Sequence, residues 1–312
     1  MEALFIGQTY IDVTVLADQM PTGDDKAVAS EYAVSFGGNA VTAAFCCAKL
    51  GVKPDLIATL ADDWLGRMFV DMTKTYDVRL HERMVETSSL SFIVPKDGKR
   101  AIVRCRDDHY LTPFPVLDLD GCRALHIDGH QPDAALHYAK LCRSAGILTS
   151  LDGGGMRINT HDVLGFIDVA IVAERFCQQM DKTPQAILDY LKDRGCKIGG
   201  VTLGERGMLW YGEDGEIRTM PALAVPSERV RDTSGAGDVF HGAYVYSYLK
   251  NPQQPWEEHF RFARRASAFK IQYLGNEAGL PTLRDIEAVA AEFDQARPRP
   301  DRLKAAATSR SL

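Results

Sequence analysis

The sequence predicts an α/β fold, in which a largely parallel sheet lies between two layers of helices. The middle of the chain alternates short apolar segments typical of strands with longer segments typical of helices. Two glycine-rich turns, one near each end of the chain, both lead into apolar segments long enough to form helices. Strands that alternate with helices form βαβ units, and such units build a parallel sheet that is covered on both faces.

The predicted elements follow one another in a regular order. Apolar segments indicate strands at residues 3–6, 124–127, 147–151, 169–172 and 199–202. Helices are expected at residues 133–145 and 184–194. Because the ligands of a parallel sheet bind at the carboxyl ends of its strands, we expect the functional site at this edge. The polar residues at or just past these ends are Asp128, Asp152, Glu174 and Thr202.

Two segments, residues 11–35 and 86–112, do not fit this alternation and indicate short strands. The second segment contains Ser91-Phe92-Ile93-Val94, then Asp97-Gly98, and then a further apolar segment from Ala101 to Cys105. An Asp-Gly pair between two apolar runs is a strong hairpin signal. We therefore expect a small separate sheet within a single domain of residues 1–295. Residues 296–312 are rich in proline and charge, and we expect them to be disordered.

The composition narrows the class of protein. The net charge of −6 argues against nucleic acid as the main partner, because binding phosphates requires a basic surface. No run of about eighteen apolar residues is present, so no membrane partner is expected. The N-terminus lacks the basic segment of a secretory signal, and seven cysteines without paired spacing fit a reduced cytoplasm. The spacing of the histidines indicates no structural metal.

The most informative motif is Asp232-Thr233-Ser234-Gly235-Ala236-Gly237-Asp238, which leads directly into an apolar segment. Its small residues let backbone N–H groups approach an anion, and the following helix N-terminus adds partial positive charge. The same field favours the ionised form of Asp238, which makes this carboxylate a candidate base beside a phosphate site. A purely structural turn is the alternative, since short glycine motifs also occur without catalysis.

A second glycine turn, Phe36-Gly37-Gly38-Asn39, precedes a segment that is apolar on nearly all sides and ends at Gly51. This pattern predicts a buried helix. Gly37 and Gly38 would let a ligand approach the backbone closely, and Asn39 offers a donor and an acceptor to a polyol. The alternative is a tight turn in which Asn39 caps the helix.

Together the two turns resemble the ribokinase (PfkB) family of carbohydrate kinases, over about residues 3–290. Residues 232–238 match the family's C-terminal signature Asp-Thr-x-Gly-Ala-Gly-Asp, and Gly-Gly-Asn stands where its N-terminal motif is expected. Asp-Val-Phe-His-Gly-Ala at 238–243 and Ala-Gly-Leu-Pro at 278–281 resemble the ketohexokinase and sulfofructose kinase branch. The resemblance implies a ribokinase-like three-layer sandwich with a β-sheet lid, which also forms a homodimer contact.

The resemblance implies an ATP-dependent transfer of a phosphoryl group to a hydroxymethyl group of a small sugar. Asp238 then corresponds to the catalytic base, and Gly235, Ala236 and Gly237 correspond to the site that binds the transferred anion. Asp12 corresponds to the acid that holds sugar hydroxyls. The residues expected to hold the same sugar belong to the second glycine turn, namely Gly37, Gly38 and Asn39. A neutral ketohexose or a related sugar is the expected substrate.

The resemblance also implies a nucleotide site. Residues 202–207 resemble the nucleotide loop, in which Thr202, Gly204 and Gly207 would lie near the phosphates or the ribose. The helix expected at 262–273 and the loop Gly275-Asn276 would border the adenine.

Two ions accompany this nucleotide site in the family. Mg²⁺ would bridge the phosphates, but the family's Asn-x-x-Glu motif is absent at 173–176, which leaves Glu174 to act on the metal through water. Some members also bind a monovalent cation such as K⁺. Backbone carbonyls around 232–234 and 270–276 are the candidates for that role here.

The charge of the substrate stays open at this point. Lys26, Arg104 and Arg106 fall in the predicted lid, and the two arginines share one strand face. They either meet an anionic group on the sugar or protect an exposed sheet edge. His130 is expected to contact the substrate, where it donates to a hydroxyl or, when protonated, to an anion.

Two other functions compete with a sugar kinase. A nucleoside kinase of the same family would need an aromatic stacking partner in or near the lid, for which Phe92, Tyr110 and Phe114 are the candidates. A binding or regulatory protein on the same fold is the alternative outside enzymes. The intact motif at 235–238 argues against this second alternative.

Overall fold

A computed structural model describes residues 1–17, 22–96 and 99–294. The predicted hairpin turn at Asp97-Gly98 and the predicted disordered segment 296–312 lie outside these residues. Within the described ranges, no helix has both the length and the apolar character needed to cross a membrane.

The strands occupy the apolar segments that the sequence indicates, together with several that it leaves unassigned. In chain order they are β1 (Ala3–Gly7), β2 (Tyr10–Leu16), β3 (Glu31–Gly37), β4 (Pro54–Leu60), β5 (Arg79–Met84), β6 (Leu90–Lys96), β7 (Lys99–Cys105), β8 (Ala124–Ile127), β9 (Leu148–Gly153), β10 (Val169–Ala173), β11 (Ile198–Thr202), β12 (Met208–Tyr211) and β13 (Ile217–Met220).

The larger sheet has nine strands in the described residues, in the order β13-β12-β11-β10-β9-β8-β1-β4-β5. The strands from β11 to β5 are all parallel, whereas β12 and β13 add an antiparallel edge. The carboxyl ends of the parallel strands therefore meet at one edge, as the alternation of strands and helices predicts.

The smaller sheet contains β3-β2-β6-β7 and is built from the two segments that the sequence sets apart. The hairpin expected around residue 97 is present as an antiparallel pairing of β6 with β7. Cross-strand register places Asp12 opposite both Ser35 and Ser91, and Ser91 opposite Arg104. Because directly opposed residues point to the same side, these polar residues share one face, which we call the inner face of the lid.

The helices of the described residues pack on the two faces of the larger sheet. They are α1 (Asn39–Lys49), α2 (Trp64–Thr75), α3 (Pro132–Ser144), α4 (Thr160–Leu164), α5 (Glu174–Gln179), α6 (Pro184–Asp193), α7 (Ala236–Lys250), α8 (Trp256–Lys270) and α9 (Leu283–Val289), followed by a π-helical segment over Ala290–Asp294. The late helix expected at 262–273 thus begins earlier and ends at Lys270.

Two hydrophobic clusters lie on opposite sides of the sheet, as alternation along β1 shows. Ala3 and Phe5 belong to the cluster that contains α1, α7 and α8, whereas Leu4 and Ile6 belong to the cluster that contains α3 and α6. The helix α1, which follows the Gly37-Gly38 turn, is buried along residues 40–47, as predicted. It lies so close to α7 that a Cβ at Gly242 would stand 2.4 Å from the carbonyl oxygen of Ala43.

Candidate active site

The turn before α7 needs glycine for its conformation. Gly235 caps the helix with a φ of 72°, in the left-handed region that favours glycine. A Cβ at this position would also lie 2.2 Å from Oδ1 of Asn276, so no larger residue fits. A Cβ at Gly237, by contrast, would meet no atom of the described residues within 4 Å. The turn is therefore packed on the Gly235 side and open on the Gly237 side.

The open side presents unpaired backbone donors. Within the described residues, the N–H groups of Gly237 and Asp238 have no hydrogen-bond acceptor, while Ala236 donates a long bond of 3.4 Å to the carbonyl of Thr233. Free N–H groups at the N-terminus of a helix favour an anion there. The described residues thus offer donors for an anion at Gly237 and Asp238, and the assignment of the anion site to Gly235, Ala236 and Gly237 stays a prediction.

Asp238 lies in the first turn of α7, on the border of this open space. Burial raises the pKa of its carboxyl group, and the Asp152 and Asp12 carboxylates raise it further, against the opposing effect of Arg100 and Arg104. Desolvation and like charge thus oppose the field of the helix N-terminus and make the ionised form of Asp238 less favourable than the sequence predicts. A raised pKa suits a general base that works near neutral pH.

Asp152, at the end of β9, is the carboxylate paired with Asp238. It is buried, burial raises its pKa, and its Oδ2 accepts a hydrogen bond of 3.0 Å from Nδ2 of Asn39. The cap of α1 is Gly38, and no side chain caps this helix. Asn39 is thus oriented by Asp152 toward the site and is not a helix cap.

Asp12 lies on the inner face of the lid sheet, and burial raises the pKa of its carboxyl group. A Cβ at Gly37 would stand 2.3 Å from this carboxylate, so Gly37 makes room for Asp12. Gly38 has a φ of 102°, and a Cβ there would lie 2.0 Å from the carbonyl oxygen of Gln8. Both positions thus need glycine for packing, and the direct approach of a ligand to their backbone stays a prediction.

Asn276 is expected to border the adenine, but its side chain contacts the lid. Its side-chain amide donates hydrogen bonds of 3.1 Å to Oδ2 of Asp12 and 3.0 Å to the carbonyl of Phe36. The side chain is thus directed to the base of the lid, beside Gly235, and not toward an adenine border. Gly275 also contacts the lid, since a Cβ there would lie 2.6 Å from Cβ of Ala33.

The cations of the lid occupy different positions, although Arg104 and Arg106 both lie near enough to His130 to lower the pKa of its imidazole. The Arg104 guanidinium lies 5.2 Å from the centre of the Tyr10 ring on the inner face, whereas Arg106 lies beyond the end of β7 and pairs with Asp108 at 2.8 Å. The two therefore do not share a strand face, contrary to the prediction. Lys26 is exposed in the loop before β3. Arg100, which the sequence reasoning missed, donates a 3.2 Å hydrogen bond to the carbonyl of Thr233 beside the glycine turn.

His130 follows β8 and is buried. Its backbone N–H donates a hydrogen bond of 3.0 Å to Oδ1 of Asp128. Burial lowers the pKa of its imidazole to about 4, despite the opposite effect of Asp128. The ring is therefore neutral at pH 7, which leaves the hydroxyl-binding role and removes the protonated one. Arg157, another residue that the sequence reasoning missed, is close enough to lower the same pKa further.

The predicted nucleotide loop follows β11. Thr202 ends this strand, and Gly204 (φ 61°) begins a short 3₁₀ segment with open space around its Cα. Gly207 has a φ of 84°, and a Cβ there would lie 2.1 Å from the carbonyl of Met220. Glu174 opens α5 and forms a 2.5 Å ion pair with Arg206 of this loop. Glu174 is thus engaged by a cation, and its expected part in holding Mg²⁺ stays a prediction.

The chain is similar along nearly its whole length to kinases of known name. It is 23% identical over 299 residues to the ribokinase of Lactococcus lactis, a match that covers 93% of this chain and 97% of the relative. It is 20% identical over 303 residues to a nucleoside kinase of Methanothermobacter thermautotrophicus, covering 90% and 92%. No comparison supports the ketohexokinase branch.

Solved structures show the same architecture. The Arabidopsis thaliana ribokinase complexed with ribose and ATP superposes with a TM-score of 0.77 at 21% identity, covering 92% of this chain and 98% of that one. This likeness confirms the predicted ribokinase-like fold with its small additional sheet. The family model described as pfkB family carbohydrate kinase matches residues 2–283. The chain is therefore a member of the pfkB family of carbohydrate kinases.

Proposed function

We propose that the protein transfers the γ-phosphate of ATP to a hydroxymethyl group of a small sugar. The observation that carries the proposal is the pairing of unbonded N–H groups at Gly237 and Asp238 with a carboxylate whose pKa is raised. The N–H groups would hold the transferred phosphoryl group, and Asp238 would take the proton from the attacking hydroxyl. Phosphoryl transfer depends mainly on such positioning and charge stabilisation.

The sugar would lie between the lid and the carboxyl edge of the large sheet. Asp12 has one carboxylate oxygen bonded to Asn276, which leaves the other oxygen for a sugar hydroxyl. Asn39 has its amide N–H₂ held by Asp152, which leaves its carbonyl oxygen for the same ligand. Neutral His130 would add a further hydroxyl contact. A compact polyol satisfies this set, because each buried polar group then has a partner.

ATP would lie along the loop 203–207, accompanied by Mg²⁺. Gly204 leaves open space among the described residues at the start of this loop, and the unbonded N–H groups of Gly237 and Asp238 would bind a phosphate. Magnesium bound there supplies charge neutralisation for the transferred group. The described residues thus offer a suitable place for the nucleotide.

Two arginines favour a second candidate, a sugar that carries an acidic group. Arg157 has its Nε buried without an acceptor in the described residues, and Arg104 makes no ion pair among them. Both lie near enough to Tyr10 to lower the pKa of its hydroxyl, so their charges converge on one region. A carboxylate or phosphate on the sugar would give these guanidinium groups a partner.

The aromatic side chains that a nucleoside kinase would need are engaged elsewhere. Tyr110 lies under the Arg83 guanidinium at 3.7 Å, and Phe114 packs on His137 and Tyr138. Phe92 is next to Asp12's partner Ser91 along β6, so it points to the opposite side of the lid sheet. None of the three candidates therefore lies on the inner face with Asp12. The aromatic side chain on that face is Tyr10, whose ring already lies 5.2 Å from the Arg104 guanidinium.

The outer face of the lid supports the proposal of a homodimer. Tyr32 and Val103 on this face are 75% and 63% exposed, and Phe92 is exposed as well. Exposed apolar side chains grouped on one surface are typical of an interaction site. A second copy of the chain, joined lid to lid, would cover them.

The proposed function is tested by ADP release from Mg-ATP in the presence of ketohexoses, aldopentoses, nucleosides, and sugars carrying a carboxylate or phosphate. Asp238→Asn runs beside the wild type as the matched inactive variant. Turnover of one free sugar that the variant loses is the expected result. Preference for an acidic sugar, lost in Arg157→Ala, would favour the second candidate. Binding of sugar or ATP without turnover of any of these compounds would refute the kinase and favour the regulatory alternative.

A further inference from the structure

A buried ion pair joins the end of α8 to the start of the glycine-rich turn. The Lys270 and Asp232 side chains are both fully buried, and Nζ lies 3.2 Å from Oδ2 of Asp232. A buried ion pair rarely adds net stability, because desolvation of both charges offsets their attraction. Its position beside the anion site is therefore more informative than its energy.

The lysine ammonium lies among oxygen atoms of the protein. Besides the Asp232 carboxylate, Nζ lies 3.3 Å from the carbonyl oxygen of Asp232 and 3.5 Å from that of Tyr273. An ammonium has three N–H donors, so these oxygens match its capacity. Carbonyl and carboxylate oxygens gathered around one positive centre also form the surroundings that proteins offer to K⁺.

The path of the lysine side chain is fixed by small residues. A Cβ at Gly279 would lie 2.5 Å from Cδ of Lys270, so the stem passes directly over a glycine. A Cβ at Gly235 would lie 3.6 Å from Cε, which brings the ammonium end of Lys270 close to the anion-binding turn. The lysine is thus accommodated by the backbone on both sides and has a single route to Asp232.

Asp232 connects the ammonium to the turn itself. Its Oδ1 accepts a 2.8 Å hydrogen bond from the N–H of Ser234, and its Oδ2 accepts one of 3.1 Å from the N–H of Gly275. The backbone N–H of Asp232 also donates to the carbonyl of Ile271 at 3.2 Å. The segments 231–235 and 270–276 are therefore held together around one positive charge.

A separate monovalent cation does not fit this place. The carbonyl groups expected to bind K⁺, around 232–234 and 270–276, include those of Asp232 and Tyr273, which already surround the Lys270 ammonium. A second cation would share these oxygens and lie beside a like charge. The K⁺ site that the family resemblance suggests is thus incompatible with these residues.

We propose that the ammonium of Lys270 replaces a bound monovalent cation and fixes the 232–238 turn for phosphoryl transfer. The inference rests on the proposed kinase function only for its activity readout. Lys270 is a positioning residue, since it acts on the anion site through Asp232. The kinase consequently needs no added K⁺, because its cation is part of the chain.

The first test uses the wild-type protein and the salt alone. Activity and melting temperature are measured in K⁺, Na⁺ and tetramethylammonium chloride at equal ionic strength. We expect both quantities to be the same in all three salts. Severalfold stimulation by K⁺, or a melting temperature that rises with K⁺ specifically, would overturn the proposal.

The second test removes the ammonium and offers a replacement. Lys270→Ala empties the space beside Asp232, and we expect turnover to fall about 10²-fold in tetramethylammonium, as misplacement of catalytic groups typically causes. K⁺ or ammonium should then restore much of the activity in a saturable manner and raise the melting temperature. Lys270→Met fills the same space with an uncharged stem and should not respond. Lys250→Ala, at an exposed position on α7, is the control that leaves every readout unchanged.

The outcomes separate this inference from the kinase proposal. A folded Lys270→Ala variant whose activity and melting temperature ignore K⁺ and ammonium refutes the role of Lys270. If the wild type phosphorylates none of the sugars tested, the melting temperatures still test the role of Lys270. If Lys270→Ala does not fold in any salt, the response of the wild type to K⁺ tests that role.

Discussion

Replacing Asp238 by asparagine removes the proposed base without changing the shape of the side chain. If Asp238 takes the proton from the attacking hydroxyl, turnover should fall by about 10²–10⁴, the usual contribution of a general base. The anion site at the backbone of Gly237 remains, so binding of Mg-ATP should be unchanged. A loss confined to turnover is the expected result, because only the transition state uses the base.

The same substitution should stabilise the fold. Burial and the Asp152 carboxylate raise the pKa of Asp238 in the folded protein, so its ionised form is less favourable there than in the unfolded chain. Each unit of such a rise costs about 1.4 kcal/mol once the pH lies above the folded pKa. Since the repulsion is shared with Asp152, we expect Asp238→Asn to gain about 1–3 kcal/mol at pH 8. At pH values below the unfolded pKa, both forms are neutral and the gain should vanish.

Denaturant unfolding at pH 8 and at about pH 3, below the unfolded pKa of an aspartate, combined with steady-state kinetics, measures both effects. Asp214→Asn is the control, because Asp214 is an exposed carboxylate paired with Arg218 and far from the site in the fold. A variant that keeps full turnover would show that Asp238 is not the base. A variant that is less stable than the wild type at pH 8 would show that the carboxylate is held by favourable contacts, contrary to the reasoning above.

Three further predictions concern the surroundings of this base. The kcat/KM should rise with pH through a range above the usual pKa of a carboxyl group, and Asp152→Asn should move that rise to lower pH by removing the like charge, as a pH profile would record. Asn276→Ala should raise KM for the sugar more than for ATP, because its amide holds Asp12; initial-rate kinetics in both substrates distinguish the two, and an effect on ATP alone would restore the adenine assignment. Tyr32→Glu should convert a dimer to a monomer without loss of fold, as light scattering with circular dichroism would detect, whereas an unchanged mass would rule out the lid contact.

Most of the fold could be predicted from the sequence, because its signals are local. Apolar segments bounded by polar and glycine residues define the strands 124–127 and 169–172 to within a residue of their observed ends. The departure of residues 86–112 from the βα pattern correctly indicates a second sheet. The predicted end of α8 at residue 273 is wrong, because Ile271 and Tyr273 extend the apolar pattern although the helix ends at Lys270.

The site could be predicted only where a motif carries its own geometry. Adjacent residues of the turn at 235–238 specify both the left-handed conformation of Gly235 and the start of the helix. The structure has both features. The packing role of the Gly37-Gly38 pair could not be predicted, for the opposite reason. Its function depends on Asp12, which lies on another strand, and no local pattern reveals that a glycine makes space for a distant carboxylate.

The contacts that sequence reasoning missed share one physical origin, which is the meeting of chain segments far apart in sequence. Asn276 reaches Asp12 across 264 positions, and Lys270 reaches Asp232 across 38. Burial then changes the chemistry of each group: a lysine that would be an ordinary surface cation becomes an internal ion, and the carboxylates of Asp152 and Asp238 acquire raised pKa values by proximity. Because desolvation depends on burial, and like-charge repulsion on the distance to charges far away in sequence, a motif can identify the base but not its protonation. The same reasoning bears on the K⁺ expectation, since the sequence does not reveal that the Lys270 ammonium lies among the carbonyl groups of Asp232 and Tyr273.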